Sequence, residues 1–367
     1  MRQRVRPERP GIELPEPPTG FPQFFKKLQP RIVTADVWAF LETSVKTSPK
    51  LTKDQKRQSL AFIQQAFEFF EAAQNPRIGS RPLLYYYSFL NLAKVAVLLG
   101  GVNLPPVVRH GISDPRENIR QRLRLPGQGV RIEKCAHDHS VIFPEFVSFL
   151  GGEVTSPRVI KVLDLLRQVP GTHRTYCRVT GCDPCCIPIK VFRFFQAGKK
   201  IFLHMGFDRK DDDVRSTLPQ LRTSSSFNRL FTEVYVPPEH WSDRKIIWFE
   251  TDLFAGEKAT VNSALRAMAK DITSLGFSSI LTSIGYRHYV LCMPKPKLLP
   301  PLAVIYAIMF YFGSITRYKP YDFDRIVEDK YSWLVSEFLK TQPNQFLHGL
   351  AGQIAGVDVV QPFAYLH

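Results

Sequence analysis

One run constrains this chain more than any other: Leu83-Leu84-Tyr85-Tyr86-Tyr87-Ser88-Phe89-Leu90-Asn91-Leu92-Ala93-Lys94-Val95-Ala96-Val97-Leu98, preceded by Pro82 and followed by Gly100-Gly101. Proline at a first helical position and glycine just past the end are helix punctuation, so residues 83–98 are expected to form one helix. Its apolar residues go nearly all the way round, and a helix of that kind is stable in water only when other elements enclose it. The exceptions, Tyr87, Asn91 and Lys94, recur at i, i+4 and i+7 and therefore form one polar stripe on a buried helix. A lysine in that position must find a partner or give up its charge. The stripe is thus a candidate ligand site, or an internal ion pair with a carboxylate such as Glu337 or Asp322. Arg317 and Tyr318, after the apolar run 302–312, are expected to face the same cavity.

The elements that would enclose this helix can be read on either side. Helical spacing runs through Phe24, Phe25 and Leu28, then Val33, Val37, Phe40 and Leu41. A longer helix starts near Thr52, a candidate cap, and ends at Asn75-Pro76. Residues 158–169 also read as helix, closed by Pro170-Gly171. The period then changes: 189–195, 200–207, 228–236 and 245–251 are short, rich in β-branched and aromatic residues, and read as strands. An amphipathic helix at 260–275 and a hairpin around Gly285-Tyr286 complete this stretch, and Pro294-Lys295-Pro296-Lys297 reads as a linker. Helical patterns return at 301–316, 331–340 and 344–355. The fold class is α+β, with helical N- and C-terminal parts around a β-rich centre. The expected divisions are a basic, proline-rich tail at 1–19 that stays outside the core, a helical region at 20–173, a β-rich region with a cysteine cluster at 174–297, and a helical region at 298–367 packing on the first helices.

Charge narrows the partners. Lys and Arg number 49 against 33 Asp and Glu, a formal net charge of +16 over 367 residues. Such a field attracts polyanions, so RNA, DNA or an acidic protein partner are the expected contacts. Met1–Gly20 lacks the apolar stretch of a secretory signal, and 302–312 is well short of the roughly 20 residues that span a bilayer, which places the chain in the cytoplasm and off the membrane. With no export signal, the six cysteines do not suggest a disulfide framework.

Several residue sets carry candidate chemistry. Asp114-Pro115-Arg116-Glu117 has the makings of a helix start, after which Arg116, Arg120 and Arg124 share one face beside Ile119 and Leu123. Arginine donates two hydrogen bonds to one phosphate, so this face, extended by Arg109 and His110, is a candidate phosphate grip; a solvated charged face is the plainer alternative. A HEPN-type ribonuclease needs a helical arginine followed within two turns by a histidine, which Arg131…His137 and Arg167…His173 fit by spacing alone. Cys177, Cys182, Cys185 and Cys186 crowd one short segment, with Cys135, His137, His139 and His173 upstream. One C-x2-C pair suits a structural zinc ion, but no second pair follows, so free thiols in a loop stay open. The sequence contains no G-x-x-x-x-G-K-[ST], H-E-x-x-H, G-x-S-x-G or G-x-G-x-x-G pattern, so the common nucleotide, metallopeptidase, hydrolase and Rossmann classes have no motif support.

The Tyr-rich helix 84–94, His110-Gly111, Gly313-Ser314-Ile315-Thr316-Arg317-Tyr318-Lys319-Pro320, residues 333–338 and Gln342-Pro343-Asn344-Gln345-Phe346-Leu347 come in an order that resembles the bacterial YaaC-like family from about residue 80 to the end. The resemblance implies an architecture and hands over no catalytic residue. Three readings follow: a basic accessory protein that binds RNA, DNA or another phosphate-bearing partner; an enzyme acting on nucleic acid or nucleotide, with Arg109, His110 and Lys94 as candidates; or an interaction component of a bacterial defence system that meets an acidic protein. All three require the surplus positive charge to be gathered in one place.

Overall fold

The structure, a computed structural model, describes residues 6–14, 32–74, 79–105, 107–115, 124–134, 141–236, 245–256, 258, 260–273, 275–282, 285–292 and 299–362. In chain order, strands β1 (Arg6–Pro7), β2 (Ile12–Leu14) and β3 (Ile32–Val33) precede helices α1 (Val37–Thr47), α2 (Lys53–Gln74) and α3 (Arg81–Leu99). Strands β4 (Ile112–Ser113) and β5 (Gly129–Ile132), helix α4 (Ile142–Phe149), strand β6 (Arg158–Lys161) and helices α5 (Val162–Arg167) and α6 (His173–Thr180) follow. The middle supplies β7 (Cys186–Pro188), β8 (Val191–Ala197), β9 (Lys200–Asp208), α7 (Asp212–Thr223), α8 (Ser225–Leu230), β10 (Phe231–Tyr235), β11 (Ile246–Thr251), α9 (Val261–Thr273), β12 (Phe277–Thr282) and β13 (Gly285–Leu291). Helices α10 (Pro301–Tyr318), α11 (Pro320–Glu328) and α12 (Ser332–Ala355) and strand β14 (Val359–Val360) close the chain. The fold class is α+β, and the chain divides into a helical unit, 34–182 with 297–355, and a β-rich unit, 1–33 with 183–296 and 356–367.

In the helical unit α3 packs against α2, α10, α4 and α12. It is long and apolar enough to cross a membrane, but most of it is buried inside the protein. Phe89 is fully buried and stacks on Phe346 of α12 at 3.9 Å between ring centres. Burying one such ring stabilises the fold by roughly 1.5–3 kcal/mol. Helix α2 starts with a reciprocal cap: Thr52 N–H donates to Gln55 Oε1 at 2.9 Å, and Gln55 N–H donates to Thr52 Oγ1 at 3.2 Å. Helix α12 continues through Pro343, where the sequence suggested a break, because Phe338, Leu339, Phe346 and Leu347 on either side are all buried. Residues 158–161, expected as helix, are instead the outer strand of the β4-β5-β6 sheet, paired with β5 from Gly129↔Lys161 to Ile132↔Arg158. The β-branched pair Val159-Ile160 suits that pairing better than a first helical turn.

Gly111 fixes the loop before β4. Its φ is +71°, and a Cβ there would lie 2.2 Å from Val141 Cγ1 and 2.6 Å from Pro144 Cδ. The close approach lets the first amides of α4 reach back to this loop: Ile142 N–H donates to the Arg109 carbonyl and Phe143 N–H to the His110 carbonyl, both at 3.0 Å.

The β-rich unit contains a six-stranded sheet in the order β1-β10-β11-β9-β8-β2, antiparallel except where β1 runs parallel to β10. Phe194, Leu203, Met205 and Phe249 of this sheet join Leu221, Phe227, Leu265 and Met268 of α7, α8 and α9 in one core. Strands β12-β13-β7 form a second sheet and β14-β3 a parallel pair. Residues 228–230, expected in a strand, belong to α8. The proline-rich N-terminal segment also differs from expectation, since residues 6–14 supply both edge strands of the large sheet. Edge positions tolerate proline because one side needs no ladder bond, and Arg9 anchors the crossing by pairing with buried Glu250 at 3.1 Å.

Two outcomes test this packing. Gly111→Ala combines a strained backbone with a clash and is expected to lower the unfolding free energy by about 2–4 kcal/mol in denaturant titration, whereas unchanged stability would contradict it. Burial lowers the His173 pKa from 6.5 to about 4, with the charges of Arg167 and Arg174 adding to the effect, and burial also lowers that of His348. The unfolded chain then binds more protons than the folded one between pH 6.5 and about 4, so stability present above that window is lost as pH falls through it. His173 accounts for about 3 kcal/mol of that loss. His173→Gln is expected to flatten the slope, and identical slopes in the two proteins would refute the assignment.

Candidate functional site

The polar stripe of α3 meets the last turns of α10 at a cavity of ≈ 560 Å³ whose walls include Leu83, Tyr86, Tyr87, His110, Phe310 and Arg317. Gly313 makes the approach possible. A Cβ at that position would sit 3.0 Å from Tyr86 Cβ and 3.1 Å from the Pro82 carbonyl oxygen, so a larger residue would push α10 away from α3. One turn later on the same face, Arg317 Nη1 donates to the Tyr87 hydroxyl at 3.0 Å. The guanidinium also lies over the Tyr318 ring, 5.0 Å from its centre.

At the same cavity the Tyr86 hydroxyl and His110 Nδ1 are 2.5 Å apart. Burial pushes the Tyr86 phenol above its ordinary value. Burial lowers the His110 pKa, and the positive charges of Lys94 and Arg317 lower it further. With both groups neutral, the phenol O–H can donate to Nδ1, which leaves the imidazole proton on Nε2. The pair can hold or pass a proton at the cavity wall.

Behind Tyr87, Asn91 Nδ2 donates to Gln65 Oε1 at 2.8 Å, and Lys94 Nζ donates to Asn91 Oδ1 at 3.3 Å while lying 4.8 Å from the centre of the Phe62 ring. Burial lowers the Lys94 pKa. Among the described residues neither Lys94 nor Arg317 has a carboxylate partner; Glu337 and Asp322, the candidate counter-ions, do not pair with the lysine. Arg317 lines the cavity with Lys319 and Asp114, Lys94 lies outside the lining, and the charges of Lys94 and Arg317 both act on His110.

The structure therefore brings together Tyr87, Asn91, Lys94, Arg317 and His110. Tyr87, His110 and Arg317 line the cavity, and Asn91 and Lys94 stand behind it. Arg109 is exposed and is not part of the lining. Of the proposed phosphate grip, Arg124 is exposed, and Arg116 and Arg120 lie outside the described residues. So do His137, Cys135 and His139, while Arg131 is exposed on β5. Arg167 and His173 are separated by the turn 170–172, and His173 is only 2% exposed, facing Tyr176 and Cys177 rather than an open site. The cysteines divide between the units: Cys177, 3.5 Å from His173 Nε2, and exposed Cys182 belong to the helical unit, and buried Cys185 and Cys186 to the β-rich one. Neither unit by itself holds the four-thiol set that the spacing suggested. Sequence reasoning missed Tyr86 as the partner of His110. The only signal was its place beside Tyr87 in the Tyr-rich helix.

Residues from three segments that carried the resemblance, 84–94, 110–111 and 313–320, line this one cavity. A family model described as YaaC-like Protein matches residues 29–354. No curated protein and no solved structure matches the chain. The matched span takes in the whole cavity and most of the sequence, and the chain belongs to the YaaC-like family.

Proposed function

We propose that this chain is a binding protein for a phosphate-bearing partner, RNA, DNA or a nucleotide, which it takes at the cavity between α3 and α10. The observation that carries the reading is Arg317, a cation of the cavity lining with no carboxylate partner among the described residues, backed by Lys94 outside the lining, which also has none and whose charge reaches His110. A half-buried ammonium without counter-charge costs stability, and an incoming phosphate supplies that charge. Arg317 spends one N–H on Tyr87 and has others left for a phosphate. In the β-rich unit, by contrast, Arg9, Arg193, Arg215 and Arg222 each meet a carboxylate. The net charge of +16 would steer an anionic partner toward the chain.

A second reading, an enzyme acting on nucleic acid or nucleotide, draws on the short contact between Tyr86 and His110 in the same wall. Labelled RNA incubated with wild type and His110→Ala tests it: cleavage only by the wild type supports catalysis, and equal or absent cleavage removes it.

Binding itself is read by anisotropy of labelled RNA and DNA across a salt series. Affinity is expected to fall steeply as salt rises, and Arg317→Ala to weaken binding by roughly ten- to hundredfold. Affinity that ignores both salt and Arg317→Ala would overturn the reading and leave an acidic protein, as in a defence complex, the partner to examine. Lys94→Met is expected to raise the stability of the unliganded chain by about 1 kcal/mol while weakening binding, because it removes an uncompensated cation. A loss of stability on that change would contradict the role given to Lys94.

A further inference from the structure

Resting on the anion-binding reading above, we infer that the cavity takes a single nucleoside monophosphate unit, with its base against the aromatic wall and its phosphate at Arg317. A volume of ≈ 560 Å³ lies within the usual range of small-molecule sites, roughly 300–1,000 Å³, and is far too small to hold a nucleic-acid duplex. The contents are therefore one ligand unit rather than a length of polymer.

The walls specify what that unit carries besides charge. Tyr86, Tyr87, Phe310 and Tyr318 all border the cavity; Tyr86 meets Phe310 edge-on at 5.4 Å and lies tilted to Tyr87 at 5.5 Å. A wall of flat rings favours a flat, polarisable partner, and every nucleobase offers a π-face for stacking. Tyr318 stands at the cavity with 69% of its surface exposed, although burying such a ring is normally favourable. The Arg317 guanidinium lies over one face of that same ring, 5.0 Å from its centre, and leaves the other face for a ligand. One ligand that joins a ring to a phosphate would engage both at once, whereas inorganic phosphate would leave Tyr318 unused and a nucleoside would leave Arg317 unused.

The charge count points the same way. Arg317 and Lys319 line the cavity together with one carboxylate, Asp114, and Lys94 adds a positive charge from outside the lining, a small excess that suits one terminal phosphate group and falls short of a triphosphate. The same terminal group occurs on a free nucleotide and on the end of a strand carrying a terminal phosphate, so the two sources share this chemistry.

Calorimetric titration of the full chain with inorganic phosphate, a nucleoside, the four nucleoside monophosphates and short single strands with and without a terminal phosphate tests the inference. A monophosphate is expected to bind about tenfold tighter than inorganic phosphate or the nucleoside, and Tyr318→Ala to remove that advantage by weakening the monophosphate more than inorganic phosphate. Tyr318 is largely exposed, so this variant is expected to fold. Tight binding of strands only when they end in phosphate would support the inference and assign the source to strand ends. Equal affinity for phosphate and monophosphate, or no effect of Tyr318→Ala, would overturn it while the anion reading stands. No binding by phosphate, monophosphate or strand would overturn both.

Discussion

Enclosure of α3 is the constraint on which the helical unit depends. A helix that is apolar nearly all round must be covered by α2, α4, α10 and α12, and its polar groups leave the core on two sides, Asn91 and Lys94 toward Gln65 and Phe62 of α2 and Tyr87 through the gap beside α10. Gly313 sets the width of that gap, and Arg317, one turn on, sets its charge. The site is thus a product of the packing: the same contacts that bury Phe89 and Leu92 carry Tyr86 to His110 and Tyr87 to Arg317.

Lys94 shows where the energetics are held in tension. Its amide contact with Asn91 and its position over Phe62 satisfy part of the ammonium, but they return less than a carboxylate would. A residue that stabilised only the unliganded fold would be apolar here. A cation that depresses the pKa of His110 and stands behind a cavity makes physical sense when an anion arrives.

Much of this was legible in the sequence, and the reasons for the misses are specific. Long periodic segments such as 83–98 announced themselves through their own residues, and the i, i+4, i+7 recurrence of Tyr87, Asn91 and Lys94 marked the polar stripe before any tertiary contact was known. The pairing of Tyr86 with His110 was not legible, because 24 positions separate them and the turn at Gly111 decides where the imidazole points. Pro343 looked like a helix end since sequence rules weigh the lost hydrogen bond but cannot weigh the buried flanks that outweigh it. The strands at residues 6–14 were hidden by their prolines, which an edge position excuses.

The central claim is that uncompensated positive charge at the α3–α10 cavity binds an anion, and thermal unfolding in rising inorganic phosphate, set against chloride at equal ionic strength, tests it most directly. Ligand that binds only the folded chain raises the midpoint with concentration. Wild type is predicted to gain thermal stability from phosphate and Arg317→Ala to gain none. An equal gain in both proteins, or no gain in wild type, would contradict it.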